Sequence, residues 1–323
     1  MGISNDIINF EYKNNYIIKY LYLMNEIKIH SVGLRDGLQM EKTVVPFDKK
    51  LEWIDKLINS NIDIIQVGSF VHKEKVPQMA DSDDLFIEIN KKYPNRKVIF
   101  SGLVLNEKGL ERAINCGVDM VCFGASASET HSQKNTRMSV NEAVDRIIKI
   151  AQDTIKDGKM CQVSVQSAFG CGFEGDIDEN KVYSIVDKYL DAGIRLISLA
   201  DTAGYANPEQ VKRMYTNIKA KANDIELACH FHNTFGMGIA NNYAAYLAGA
   251  KYYESAFGGL GGCPFTKKAT GNVATADLIE MFQNFGLIKN INNKEIIELE
   301  QNVSDYFERE LPGYVYKVGN IKH

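Results

Sequence analysis

The chain has no CxxC pair, no long apolar run, no excess of positive charge and no P-loop ending, and each absence removes a class of protein. Its six cysteines, Cys116, Cys122, Cys161, Cys171, Cys229 and Cys263, are scattered without zinc-finger or disulfide-framework spacing. Together with the lack of a stretch that reads as a cleavable signal, this leads us to expect a reducing, cytoplasmic location. No apolar run approaches the roughly 20 residues needed to span a bilayer, so no membrane partner is expected. A net charge of -4 argues against a general nucleic-acid or anionic-surface binder, since such partners ask for a basic face. No GK[ST] ending occurs, which excludes the common P-loop cradle.

What the chain does have is a repeated alternation. With 45% hydrophobic residues over 323 positions it can bury a large core. From residue 26, short β-branched runs alternate with longer amphipathic stretches, the signature of parallel strands joined by crossover helices. Strands are expected at 26–33, 62–69, 97–104, 119–126, 161–168, 195–202, 225–232 and 251–258. Helices are expected at 48–59, 81–92, 106–116, 139–157, 178–192, 208–221, 238–249 and 273–285. Eight such units in about 260 residues predict a (β/α)8 TIM barrel over 26–290 rather than an open doubly wound sheet. Residues 291–323 then form a short C-terminal helical extension, with a polar helix at 293–309. Residues 1–25 are expected to be an N-terminal extension; Met24 opens directly on a strand-like run and is a candidate start, and a loosely packed arm is the alternative.

In such a barrel the C-terminal ends of the strands form one rim, where sites are built. "HFHN" places His230 and His232 two residues apart, on one side of a strand, so both rings can face the mouth as nitrogen ligands; hydrogen-bonded barrel imidazoles are the alternative. Asp36, after the first strand, adds a carboxylate. Two imidazoles and a carboxylate with water suit Mg2+ or Mn2+. Asn272, in "TGN", is either a fourth ligand through its amide oxygen or the N-cap of the next helix. Arg35 could stabilise an enolate oxygen or be a solvated surface cation. Asp201, in "LADTAG", is a proton-transfer carboxylate or a turn cap. Cys263, in "GGLGGCP", is a thiol carried over the mouth or an inert cysteine.

Five segments, "SVGLRDGLQMEK", "GSFVHKEKVPQMAD", "SLADTAG", "HFHNTFGMGIANNYAAYLAGA" and "GGLGGCPFTKKATGNVAT", give the chain over about 26–285 a resemblance to the 3-hydroxy-3-methylglutaryl-CoA lyases, among the metal-dependent lyase and acyl-CoA synthase barrels. The resemblance implies a divalent cation held by Asp36, His230, His232 and Asn272, catalytic roles for Arg35, Asp201 and Cys263, and an acyl-CoA substrate cleaved to acetyl-CoA and acetoacetate. Leucine breakdown and a homo-oligomer, dimer or tetramer, are the matching expectations. Two positions depart from the family pattern, Gln66 and Ala276, each standing where the family carries Glu. Gln66 is expected to contact the acyl part of the substrate, so its neutral amide bears on which thioester is taken. His72, Lys73, Lys75, Lys134 and Arg137 could meet the CoA phosphates or be solvated loop charges. Rival functions are a condensing enzyme of the isopropylmalate or citramalate synthase kind, whose chains generally continue into further C-terminal domains, and a non-catalytic acyl-CoA-binding barrel.

Overall fold

β-Branched and apolar runs in this chain are too short for helices and are flanked by turn residues, so they pair as strands. The computed structural model describes residues 26–262 and 271–321, and in it eight strands close into a parallel barrel in chain order. The elements run β1 (Lys28–Ser31), α1 (Phe47–Asn59), β2 (Ile64–Ser69), α2 (Ser82–Lys92), β3 (Ile99–Leu103), α3 (Glu107–Asn115), β4 (Met120–Ser126), α4 (Glu129–Thr136), α5 (Val140–Lys156) and β5 (Met160–Gln166). They continue with α6 (Glu179–Asp191), β6 (Leu196–Asp201), α7 (Pro208–Lys219), β7 (Glu226–Phe231), α8 (Gly238–Leu247), β8 (Tyr252–Ser255), α9 (Thr275–Asn284), α10 (Asn293–Tyr306) and α11 (Val315–Val318). Closure comes from β1 lying against β8, with Lys28 opposite Tyr252 and Ser31 opposite Ser255.

Several helices begin where the sequence supplies caps. Ser139 and Glu142 form a reciprocal capping box at α5, and the side chains of Asn106, Asp178 and Asn207 accept backbone N–H groups at α3, α6 and α7. Strand residues facing outward, such as Val163, Val165, Leu227 and Phe231, are buried against the inward faces of these helices. The far end of the interior is plugged by Ile64, Met120, Leu196, Ala228 and Tyr252.

Two segments differ from the expectation. β1 ends at Ser31, and Gly33–Gly37 winds into a π-helical turn that carries Arg35 and Asp36, so neither residue sits on a strand. Gly33 permits this because a Cβ there would lie 2.4 Å from the Phe257 ring. The polar stretch after β4 forms α4, started by the Ser128 hydroxyl accepting the His131 N–H; its residues lack a helical apolar period, which is why the sequence reads as loop.

The C-terminal extension is part of the main core. Ile296, Leu299 and Val303 of α10 are fully buried in the same cluster as the barrel helices. Trp53 of α1, the chain's single tryptophan, donates its indole N–H to Asn302 Oδ1 at 2.9 Å and packs edge-on against Tyr306. Among the described residues no helix is long and apolar enough to cross a membrane.

Candidate active site

At the C-terminal rim, the strand period and the turn after β1 bring Arg35, Asp36, Gln66, His230, His232 and Asn272 into one cluster. His230 lies on β7; His232, just beyond it, forms an isolated bridge with Asn272. That bridge, together with the Asn233 N–H donating to the Gly271 carbonyl at 3.0 Å, fixes Asn272 over the mouth. Gly261 completes the fit: its φ is +104°, and a Cβ there would fall 2.6 Å from Asn272 Nδ2. The N-cap alternative for Asn272 does not hold, because α9 is entered through Ala274 with no side-chain cap.

The two imidazole Nε2 atoms approach to 3.1 Å, and each lies 3.9 Å from Asp36 Oδ2. Among the described residues, Asp36, His230 and His232 are the one group of three or more His, Cys, Asp or Glu spaced to hold a metal ion. Adjacent ligands around an octahedral cation with bonds near 2.1 Å stand roughly 3 Å apart, so the imidazole pair already has ligand spacing. Asn272 Nδ2 donates to Asp36 Oδ2 at 2.8 Å and to the Leu260 carbonyl at 2.9 Å, while its Oδ1 is buried without a partner. A half-turn of this amide exchanges the two atoms and turns the carbonyl oxygen toward the same point. A divalent cation therefore fits these four residues: they offer two imidazole nitrogens, a carboxylate oxygen and an unsatisfied amide oxygen.

Charge at the cluster is arranged to match. Burial alone would raise the Asp36 carboxyl, but Arg35, His230, His232 and the Asn272 amide together hold it well below the usual carboxylate range. His232 is lowered to about 4 by burial and by the neighbouring His230, so it is neutral at physiological pH. Burial also works against His230, yet the Glu254 carboxylate at its Nδ1, aided by Asp36, raises it.

Arg35 is held on two sides. Its Nε donates to Gln66 Oε1 and its Nη1 donates to Asp36 Oδ1. Gln66, buried on β2, thus takes part in the site through the guanidinium it orients. Asp201 ends β6 with no exposure; its Oδ1 accepts the Tyr205 N–H at 2.8 Å and its Oδ2 the Ala206 N–H at 3.2 Å. Burial nevertheless pushes it up to about 7, against those amides. Of the two readings of this residue, the turn cap is the one these two contacts show. Cys263 lies outside the described residues. Ala276 is buried in α9, where its N–H donates to Glu300 Oε1 at 2.9 Å, so the position left without an acid is served by a carboxylate from α10. Of the cations expected on rim loops, Lys73 pairs with Asp83 at 3.4 Å, while Lys134 falls within α4 and lies over the Phe173 ring.

Three residues that shape the site were not singled out from sequence: Glu254, Gln162 and His30. The readable signal was a Glu in the apolar run "KYYES", one position before the strand end and opposite His230 in register.

Fold and site together define a (β/α)8 barrel lyase with a guanidinium set beside a carboxylate and two histidines. The chain belongs to the HMGL-like family, whose model matches residues 26–303. It is 31% identical over 287 residues to the hydroxymethylglutaryl-CoA lyase YngG of Bacillus subtilis, covering 89% of this chain and 95% of that one. It is 33% identical over 305 residues to the (R)-citramalyl-CoA lyase of Chloroflexus aurantiacus, covering 92% and 96%. Among solved structures, an HMG-CoA lyase from Acinetobacter baumannii in complex with coenzyme A and 3-methylmalate superposes with a TM-score of 0.84 at 36% identity, covering 91% of this chain and 95% of that one.

Proposed function

We propose that this lyase cleaves 3-hydroxy-3-methylglutaryl-CoA, or a close 3-hydroxyacyl-CoA, to acetyl-CoA and acetoacetate or the corresponding keto acid. The observation that carries the reading is the convergence of Arg35, Asp36, His230, His232 and Asn272 at one point of the rim. Asp36, His230, His232 and Asn272 would hold Mg2+ or Mn2+. When bound, the cation supplies Lewis-acid polarisation of the substrate's C3 hydroxyl and a template for its carboxylate.

The rest is work for side chains. Arg35, oriented by Gln66, presents a planar cation to the enolate oxygen that forms as the C2–C3 bond opens. Asp201 is assigned the hydroxyl proton, because a carboxyl near 7 exchanges protons without a large penalty in either direction. Its base form is needed, so kcat/KM should fall as pH drops below about 7, and Asp201→Asn should remove that acidic limb along with most of the rate. An unchanged limb in the variant would assign the proton to another group. Cys263 is assigned protonation of the enolate carbon, on the resemblance alone. Cytoplasmic residence and assembly as a dimer or tetramer belong to the same proposal, and the five described cysteines, all buried and unbridged, suit a reducing compartment.

A second substrate is favoured by Gln66 and by the similarity to a citramalyl-CoA lyase. (R)-Citramalyl-CoA would give acetyl-CoA and pyruvate by the same bond cleavage. Purified full-length chain with Mg2+ or Mn2+ and each thioester decides between them: acetoacetate release that stops on chelation supports the first, pyruvate release the second. Neither product, with metal bound, would overturn the reading.

A further inference from the structure

His230 and Glu254 are register partners on β7 and β8, so their side chains point the same way into the barrel interior. Glu254 Oε2 lies 2.8 Å from His230 Nδ1. Its other oxygen accepts the Gln162 amide at 2.5 Å, reaching across from β5. His30, its register partner on β1, stands 3.9 Å from that same oxygen, and the Nε2 of His30 bonds to the Ser101 hydroxyl at 2.8 Å. The carboxylate is 5% exposed and sits beneath the metal-type cluster without belonging to it.

A carboxylate can only accept, so the ring nitrogen facing it must carry the hydrogen. That leaves the Nε2 of His230 with its lone pair directed toward His232 and Asp36. His232 has no such guide, because its Nδ1 is buried without a hydrogen-bond partner. The two histidines are therefore unequal: one is preset by a neighbour and the other is free to adapt.

We propose that Glu254, steadied by Gln162, is the positioning residue that fixes the His230 ring in its ligating tautomer and orientation. The inference rests on the cation reading above and adds a residue to it. Removing the carboxylate loosens one ligand while His232, Asp36 and Asn272 keep their places, and outer partners of this kind are typically worth about 10- to 100-fold in metal affinity.

The test is Mn2+ titration of the full chain followed by electron paramagnetic resonance, with nitrogen couplings counted by electron spin echo modulation. Wild-type protein should bind Mn2+ with two imidazole 14N couplings. Glu254→Ala should raise the Mn2+ dissociation constant about 10- to 100-fold and leave one coupling. Glu254→Gln should keep both couplings, because an amide oxygen still accepts from Nδ1, with a dissociation constant raised only several-fold. If Glu254→Ala does not fold by circular dichroism, the near-isosteric Gln variant decides alone. Dissociation constants within twofold of wild type would remove Glu254 from the site. Failure of the wild-type protein to bind Mn2+ would instead overturn the cation reading and this inference with it.

Discussion

The two faces of the strands are equally dry and chemically opposite. On β5, Cys161, Val163 and Val165 face the helices, while Gln162 and Ser164 face the barrel axis; on β7, Leu227, Cys229 and Phe231 alternate with Ala228 and His230. Val163, Leu227 and Phe231 are fully buried, and so are His30, Ser101 and Ser198 of the interior. Burial therefore does not sort structural from functional positions here. The outer face is mostly apolar, with a few side-chain hydrogen bonds such as Ser255 to Thr275 and Cys229 to Asn242, whereas the upper interior is filled with polar groups, several of which, including His30 Nδ1, Gln162 Oε1 and Asn272 Oδ1, are left without a partner. Buried polar atoms are expensive unless they are used, so the layer that spends them is the layer that does the chemistry.

Substitutions one residue apart on or beside β7 test this division most sharply. His232→Ala should abolish metal-dependent turnover, by at least about 10^4-fold, with the barrel intact by circular dichroism; unchanged metal affinity would refute its place in the site. Phe231→Ala, on the other face, should instead cost about 3–5 kcal/mol in urea unfolding, with turnover per folded molecule changed only a few-fold. A Phe231 variant that lost activity without losing stability would dissolve the distinction. Arg35→Lys keeps the charge but gives up the fork that engages Gln66 and Asp36 together, so kcat should drop about 10^2-fold with little change in KM.

The smallest effect is expected at Gln66. Gln66→Glu turns a neutral acceptor for Arg35 into an ionic one and places charge beside the substrate carboxylate. The kcat/KM ratio between methylglutaryl and longer-branched thioesters should move by at least about 1 kcal/mol. A fixed ratio would mean that Gln66 acts only by holding Arg35.

Much of this was legible before any coordinates. Seven of the eight strands fall within the ranges that alternation predicts, because parallel strands buried on both faces read as β-branched runs bounded by turns, and β5 begins one residue before its range, at Met160. HxH put both histidines on one side of a strand, and the structure agrees. The π-helical turn at Arg35 and Asp36 was not legible, since its winding depends on Gly33 lying under Phe257, a residue more than 200 positions away. The Glu254–His230 pair was hidden for a similar reason: strand pairing is set by barrel closure, and "YYES" alone does not say which residue stands opposite. Glu300 could not be read as the partner of the Ala276 amide, because a charged residue in a polar-looking helix is ordinarily solvated.

The indole of Trp53 waits for Asn302. At synthesis rates of about 5–20 residues per second, the 249 positions between them take roughly ten seconds to a minute to leave the ribosome. Throughout that interval Trp53, which has no exposure in the finished fold, lacks the cover that α10 provides, and so does the Phe257 ring against which it packs once that residue is made. The Ala276 amide and the Gly258 turn likewise lack Glu300, the carboxylate that receives their N–H groups. The last long helix is thus a late fastener on the seam between the first and last strands. Until it docks, the nascent barrel presents an aromatic patch beside its own active-site rim, the kind of surface that folding helpers bind.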